Sequence, residues 1–181
     1  MTSAFITPIW KISLEAPQYP EGLEMKIWIN RITGDLQTIN GLNHYIGMKT
    51  IEPDSIQELK IMPYTLGLLI IAGIFVSLTG KRKIFFVWVF LLILSGIAGG
   101  IDFYLWEYDY GHNLDPNAAI KVPGMNYQPP FIGSKKLLNF VAHSYPDTGG
   151  YIIIFSGVIC LLILLIELNL ISLNRKHIKS R

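Results

Sequence analysis

Three apolar runs limit what this chain can become: residues 64–80 ("YTLGLLIIAGIFVSLTG"), 84–106 ("IFFVWVFLLILSGIAGGIDFYLW") and 151–173 ("YIIIFSGVICLLILLIELNLISL"). The first carries no charge, the second only Asp102 near its end, and the third only Glu167. A bilayer core of roughly 30 Å is crossed by about 20 helical residues, so each run is long enough to span. The rest of the composition agrees. With 51% hydrophobic and 15% charged residues in 181, the chain is too apolar for an ordinary soluble domain and too short for a large multidomain protein. The reading is a mainly α, polytopic membrane protein with three transmembrane helices.

The basic residues orient it. "KRK" at 81–83 and the tail "NRKHIKSR" at 174–181 together hold seven of the fifteen Lys and Arg residues and no acid. Twelve of the thirteen acids lie before the first run, at the end of the second, or between the second and third. The positive-inside rule puts 81–83 and 174–181 in the cytoplasm. Residues 14–62 and 107–150 then lie on the outer side of the membrane. Tyr64, Tyr104, Trp106 and Tyr151 fall at the outer interface, where amphipathic rings are favoured. Residues 1–13, beginning "MTSAFITPIW", are apolar but too short to span and lack a signal peptide's charged start. They are expected to be the remnant of a fourth, truncated N-terminal helix or anchor. The alternative is that the first span inserts with its N-terminus outside.

Each outer segment carries local signals. Pro17, Pro20 and Gly22 make "LEAPQYPEGLEM" extended and turning. "EMKIWIN" alternates Met25, Ile27 and Ile29 against Lys26, Trp28 and Asn30, and with the turn "TGD" and the following "LQTIN" it predicts a β-hairpin. Ser55 three residues before Glu58 reads as a capping box opening a short amphipathic helix towards Met62. In the second segment, Ser134 is expected to cap an interfacial helix with Leu137, Leu138 and Val141 on one face. Prolines and glycines make the stretch before it irregular.

The single cysteine, Cys160, allows neither an intramolecular disulfide nor a thiolate cluster, so metal chemistry would use His, Met and carboxylates. His44, His112 and His143 fall in the outer segments, as does every methionine after the first. Thioethers suit Cu(I), and imidazole suits copper in either oxidation state. His44 and Met48 in "GLNHYIGM", with His112 in "YGHNLDP" and Met125 in "PGM", are the candidate metal ligands, and the two loops would have to meet to close the site. His143, nearer the membrane surface, is a weaker candidate. The bland reading of the same residues is turn histidines and packing methionines. No histidine lies in a span, so no bis-histidine haem is built within the bilayer by this chain alone. No phosphate-binding Gly-rich loop, nucleophile elbow or zinc-protease motif occurs, so the residues do not argue for an enzyme. No feature suggests nucleic acid as a partner.

The segments "APQYPEGLEM", "INGLNHYIGMK", "GGIDFYLWEYDYGHNLDPNAAIKVPGMNYQPP" and "IGSKKLLNFVAHSYPDTGG" resemble a family of small integral membrane proteins. These are encoded in bacterial nitrous oxide reductase (nos) clusters, especially the clade II, Bacteroidetes-type ones, near copper chaperone and ABC-transporter genes. The resemblance runs from about residue 10 to residue 150. Members carry a full helix before "PIWKI", which this chain lacks. The resemblance implies an accessory role in maturing a copper enzyme of denitrification, alongside those chaperone and transporter partners. The different class is a membrane scaffold or electron-transfer anchor with no metal of its own.

Overall fold

The computed structural model describes residues 1–168. Its elements in chain order are β1 (Trp10–Ala16), β2 (Tyr19–Ile27), β3 (Ile32–Gly34), α1 (Leu36–Ile46), α2 (Glu58–Thr79), α3 (Arg82–His112), β4 (Gly133–Leu137), β5 (Phe140–Pro146) and α4 (Thr148–Glu167). Helices α2, α3 and α4 are each long and apolar enough to cross a membrane. The strands form one antiparallel sheet in the order β3-β2-β1-β5-β4. The fold is therefore a bundle of three apolar helices carrying a sheet-and-helix cap.

The three helices pack through small residues and end contacts. Trp88 lies against Gly73, where a Cβ would come within 2.7 Å of its ring, and its indole N–H donates to the Leu69 carbonyl at 2.9 Å. At the end remote from the cap, Arg82 and Glu167 pair at 3.1 Å, so the acid near the end of the third run has a partner on α3. At 31 residues α3 is about 46 Å long. A bilayer needs about 30 Å of that. With its first turn beside the "KRK" loop, the last two turns of α3, from Glu107 to His112, project into the cap.

The cap has a plain alternation. Leu23, Met25 and Ile27 of β2 turn inward while Glu24 and Lys26 face out. Ile12 sits opposite Met25 on one side and Ser144 on the other. These residues join Ile39, Ile51 and Leu59 in one core, with Trp10, Phe103, Trp106 and Tyr110 packed against it. The outward face carries Lys11 and Lys26 on Glu24, each at 3.3 Å. Such exposed pairs add little stability, so the inner face holds the sheet.

Five local expectations change. The hairpin expected in this segment is present but with other partners: "EMKI" ends β2, which pairs with β1 and with the three-residue β3, and "LQTIN" opens α1 instead of a strand. Leu36, Ile39 and Leu42 recur at helical spacing and bury one face of α1, and the Asp35 carboxylate accepts the Glu24 N–H at 2.9 Å, closing the strand side of the turn. Ser55 does not cap a helix. It lies in a short 3-10 turn, Pro53–Ser55, its hydroxyl donates to the Glu52 carbonyl at 2.7 Å, and α2 begins after Gln57 and runs through Met62 unbroken. The interfacial helix expected from Ser134 is instead the β4–β5 hairpin, because Ala142, Ser144 and Pro146 alternate inward along β5. Trp106, expected at the lipid interface, is turned into the cap, where its ring lies 4.6 Å from that of Tyr110.

Residues 1–13, expected as a helix remnant, form a 3-10 turn at Thr2–Phe5 and the start of β1. The segment before β1 also docks on α4. The Asp147 N–H donates to the Ile9 carbonyl at 3.1 Å and the Gly149 N–H to the Pro8 carbonyl at 2.9 Å. Only glycine fits here, since a Cβ on Gly150 would run into the Ile9 carbonyl oxygen. The tail 174–181 and the last residues of the third run, 169–173, lie outside the described residues.

Gly150→Ala should lift the Ile9 strand off α4 and destabilise the cap by about 1–3 kcal/mol, in the range of other overpacking changes. Amide exchange should rise in residues 9–16 and 141–147 with membrane insertion intact. Wild-type exchange rates there would contradict the docking.

Candidate functional site

The segments holding the four candidate ligands do meet. Helix α1 ends at Gly47, whose φ of 81° and ψ of 10° suit glycine, and the Met48 N–H closes the end on the Asn43 carbonyl at 2.9 Å. The loop after α3 then crosses this corner. Asp115 N–H donates to the Gly47 carbonyl at 2.8 Å and Ile120 N–H to the Tyr45 carbonyl at 2.9 Å. Lys49 Nζ lies 2.6 Å from an Asp109 oxygen and holds that carboxyl below its ordinary range by this hydrogen bond.

The side chains are disposed differently from one another. His44 is exposed on α1, its ring edge-on to Tyr45 at 6.1 Å. Met48 follows the helix end and is half-buried, lining a cavity. His112 is the last residue of α3, stacked on Tyr108 at 4.0 Å, with Nδ1 3.1 Å from the Tyr108 carbonyl. A carbonyl only accepts, so Nδ1 carries the proton and Nε2 keeps a free lone pair. Met125 follows Gly124 in the loop and is half-buried, its N–H donating to the Val122 carbonyl at 3.1 Å. Of the four, Met48 alone lines the cavity. The described residues hold no cluster of three or more His, Cys, Asp or Glu side chains. His143 is engaged on the outer face of the sheet, 2.6 Å from the Ser134 hydroxyl and 3.6 Å from Glu15.

The cavity has a volume of about 290 Å³ and lies between the inner face of the sheet, α1 and the projecting end of α3. Ile12, Leu14, Ile39, Leu42, Ala142 and Leu137 supply much of its wall. The loop before β4 closes one side. Tyr127 N–H donates to the Gly111 carbonyl at 2.9 Å, and Lys135 holds the Asn126 side chain at 3.2 Å and the Gln128 carbonyl at 3.1 Å. Gly111 is required for this closure because a Cβ there would collide with Gln128.

Among the described residues one charged side chain lines this wall, Glu107, which is 1% exposed. Neither of its carboxyl oxygens has a hydrogen-bond partner among the described residues, and the same holds for the Tyr127 hydroxyl. Burial without a counter-charge pushes the Glu107 carboxyl up to about 8, which the neighbouring Ser144 hydroxyl offsets only in part. That hydroxyl is already committed, accepting from Trp10 Nε1 at 2.8 Å and donating to the Phe131 carbonyl at 3.3 Å. At neutral pH Glu107 is therefore the uncharged acid.

Sequence reasoning missed Glu107 because hydropathy ended the second span at Trp106. The signal was present. Phe103, Trp106, Glu107 and Tyr110 recur at three and four residues, so a helix continued past Trp106 turns Glu107 to the aromatic, inward side. Compared with protein-family models, curated proteins and solved structures, the chain finds no match.

The raised Glu107 carboxyl makes cap stability depend on pH. The folded cap holds a proton that the unfolded chain, near 4.5, releases, so stability falls as pH rises from there to about 8, then levels off. Each unit of the difference is worth about 1.4 kcal/mol. Thermal unfolding followed by aromatic circular dichroism should give a lower Tm at pH 9 than at pH 6. Glu107→Gln should flatten that dependence, and a wild-type Tm equal at both pH values would contradict the buried acid.

Proposed function

We propose that this protein is an inner-membrane accessory protein of nitrous oxide reductase maturation that binds or passes copper through His and Met residues of its periplasmic cap. The observation that carries the reading is the junction of α1 with the loop after α3. Two backbone hydrogen bonds, from Asp115 to Gly47 and from Ile120 to Tyr45, tie the segment bearing His44 and Met48 to the segment bearing His112 and Met125. The donor set fits Cu(I), which favours thioether and imidazole. His112 also has the form of a metal-binding imidazole, its far ring nitrogen donating to a backbone carbonyl and the other left free. Bound there, copper would supply soft-ligand exchange rather than a step of catalysis.

Orientation follows the charges. Lys81, Arg82 and Lys83 hold that end of the bundle in the cytoplasm with the C-terminal tail, and the sheet then stands in the periplasm among membrane lipids. The resemblance to proteins of nos clusters supplies the partners proposed, a copper chaperone and an ABC transporter. A second reading, a scaffold or electron-transfer anchor without its own metal, is favoured by the His112 ring being stacked on Tyr108.

Competition for Cu(I) against a chromogenic chelator separates them. His44→Ala and His112→Ala should each weaken binding at least tenfold, as loss of even an outer partner does in metal sites. The double variant should lose little more than either single one, since both act on one site. Equal Cu(I) binding by the wild type and the double variant would leave the metal-free anchor.

A further inference from the structure

We propose that the cavity beneath the sheet is a binding site for a small, uncharged, bicyclic aromatic molecule bearing a carbonyl or similar acceptor. The inference is independent of copper, since three of the four candidate metal ligands lie outside the cavity lining.

Size comes first. An apolar cavity of roughly 150 Å³ holds one benzene ring. The volume here, about 290 Å³, is close to twice that and matches two fused rings. The wall is right for such a ligand, being mostly apolar on the sheet and α1 sides, with Tyr19, Phe140 and Tyr45 among the aliphatic residues, and aromatic again at Trp106, Tyr110 and Tyr127.

Charge comes next. Among the described residues no Lys, Arg or His lines the cavity, so nothing there would hold an anion. Glu107, kept as the neutral acid by burial, does not select a cation at neutral pH. Polarity completes the class. The Glu107 carboxyl and the Tyr127 hydroxyl are without partners among the described residues, and each is a donor in its neutral form, while the Trp106 N–H lies beside the Tyr110 hydroxyl. Buried polar groups normally find partners, so two orphan donors around one cavity point to an acceptor that arrives with a ligand.

The entrance is at the end away from the membrane. Trp10 pairs with Pro146 beside α4, so the far end of the sheet is where Glu15 meets Val141. The turns beyond that end put Gln18, Leu138 and Asn139 in the lining, with exposed Tyr45 and Ile120 nearby. A ligand enters there from the aqueous side.

The test uses the full chain in lipid nanodiscs, with empty nanodiscs subtracting partition into lipid. Calorimetric titration compares 1-tetralone with tetralin, which has the same rings and no carbonyl. Wild-type protein should bind both saturably and favour the ketone roughly tenfold, about what one hydrogen bond is worth. Glu107→Gln keeps a donor and should keep the preference, whereas Glu107→Leu should reduce it, the Tyr127 hydroxyl remaining as a donor. Leu42→Trp and Ala142→Leu, which fill the cavity from opposite walls, should remove binding of both ligands. Saturable binding that survives in folded forms of both filled variants would overturn the site. Equal affinity for tetralin and tetralone, or tighter binding of the cation 2-aminotetralin, would overturn the ligand class. If neither filled variant folds, the comparison of Glu107→Gln with Glu107→Leu decides.

Discussion

The pairing of β1 with β5 is the contact on which the cap depends. It joins residues near the start of the chain to residues that follow two apolar helices, with Lys11 opposite Tyr145 and Leu14 opposite Ala142. On its other edge β1 pairs with β2, so it is the middle strand, and without it the β2–β3 and β4–β5 hairpins are separate. Isolated two-stranded hairpins are marginal in water. One sheet of five strands over α1 and α3 buries a continuous inner face. The docking of Pro8 and Ile9 on the first turn of α4 fixes that sheet to the bundle.

From that contact the cavity follows. The inner face of the sheet supplies much of the apolar wall, α1 packs across it, and the last turns of α3 extend far enough to bring Glu107 underneath. The aromatic rings at this junction are in mutual contact, Trp10 with Phe103 at 5.2 Å and with Phe131 at 5.8 Å. The His- and Met-bearing corner lies where α1 ends against the loop after α3. Of the four candidate ligands, only Met48 also lines the cavity.

The features legible in the sequence were those that act locally or by sheer quantity. Apolar runs of membrane length read directly as α2, α3 and α4, and the alternation Met25–Ile27–Ile29 read as a strand, which in the structure ends at Ile27. What failed was non-local or ambiguous in period. Residues 1–13 look like a stub because the partners of Trp10–Ser13 on β5 are distant in sequence. Leu137, Leu138 and Val141 satisfy a helical spacing, but Ala142 and Ser144, fully buried, show that the period of two won. Hydropathy drew the end of α3 at Trp106, since Glu107 and Asp109 are polar, although α1 and the sheet were there to cover the helix beyond it. The candidate ligands were chosen by residue type; that the loop after α3 crosses the end of α1 at Gly47 required the fold.

The most direct measurement is a cross-link across β1 and β5. Residues directly opposite on antiparallel strands have Cα atoms about 4.5–5.5 Å apart, within reach of a disulfide, whereas the next strand but one is too far. Lys11→Cys with Tyr145→Cys, in a Cys160→Ser background, should oxidise to a single intramolecular disulfide found by peptide mass spectrometry. Lys11→Cys with Ser134→Cys should not. Failure of the first pair, or equal cross-linking by both, would contradict a sheet with β1 at its centre.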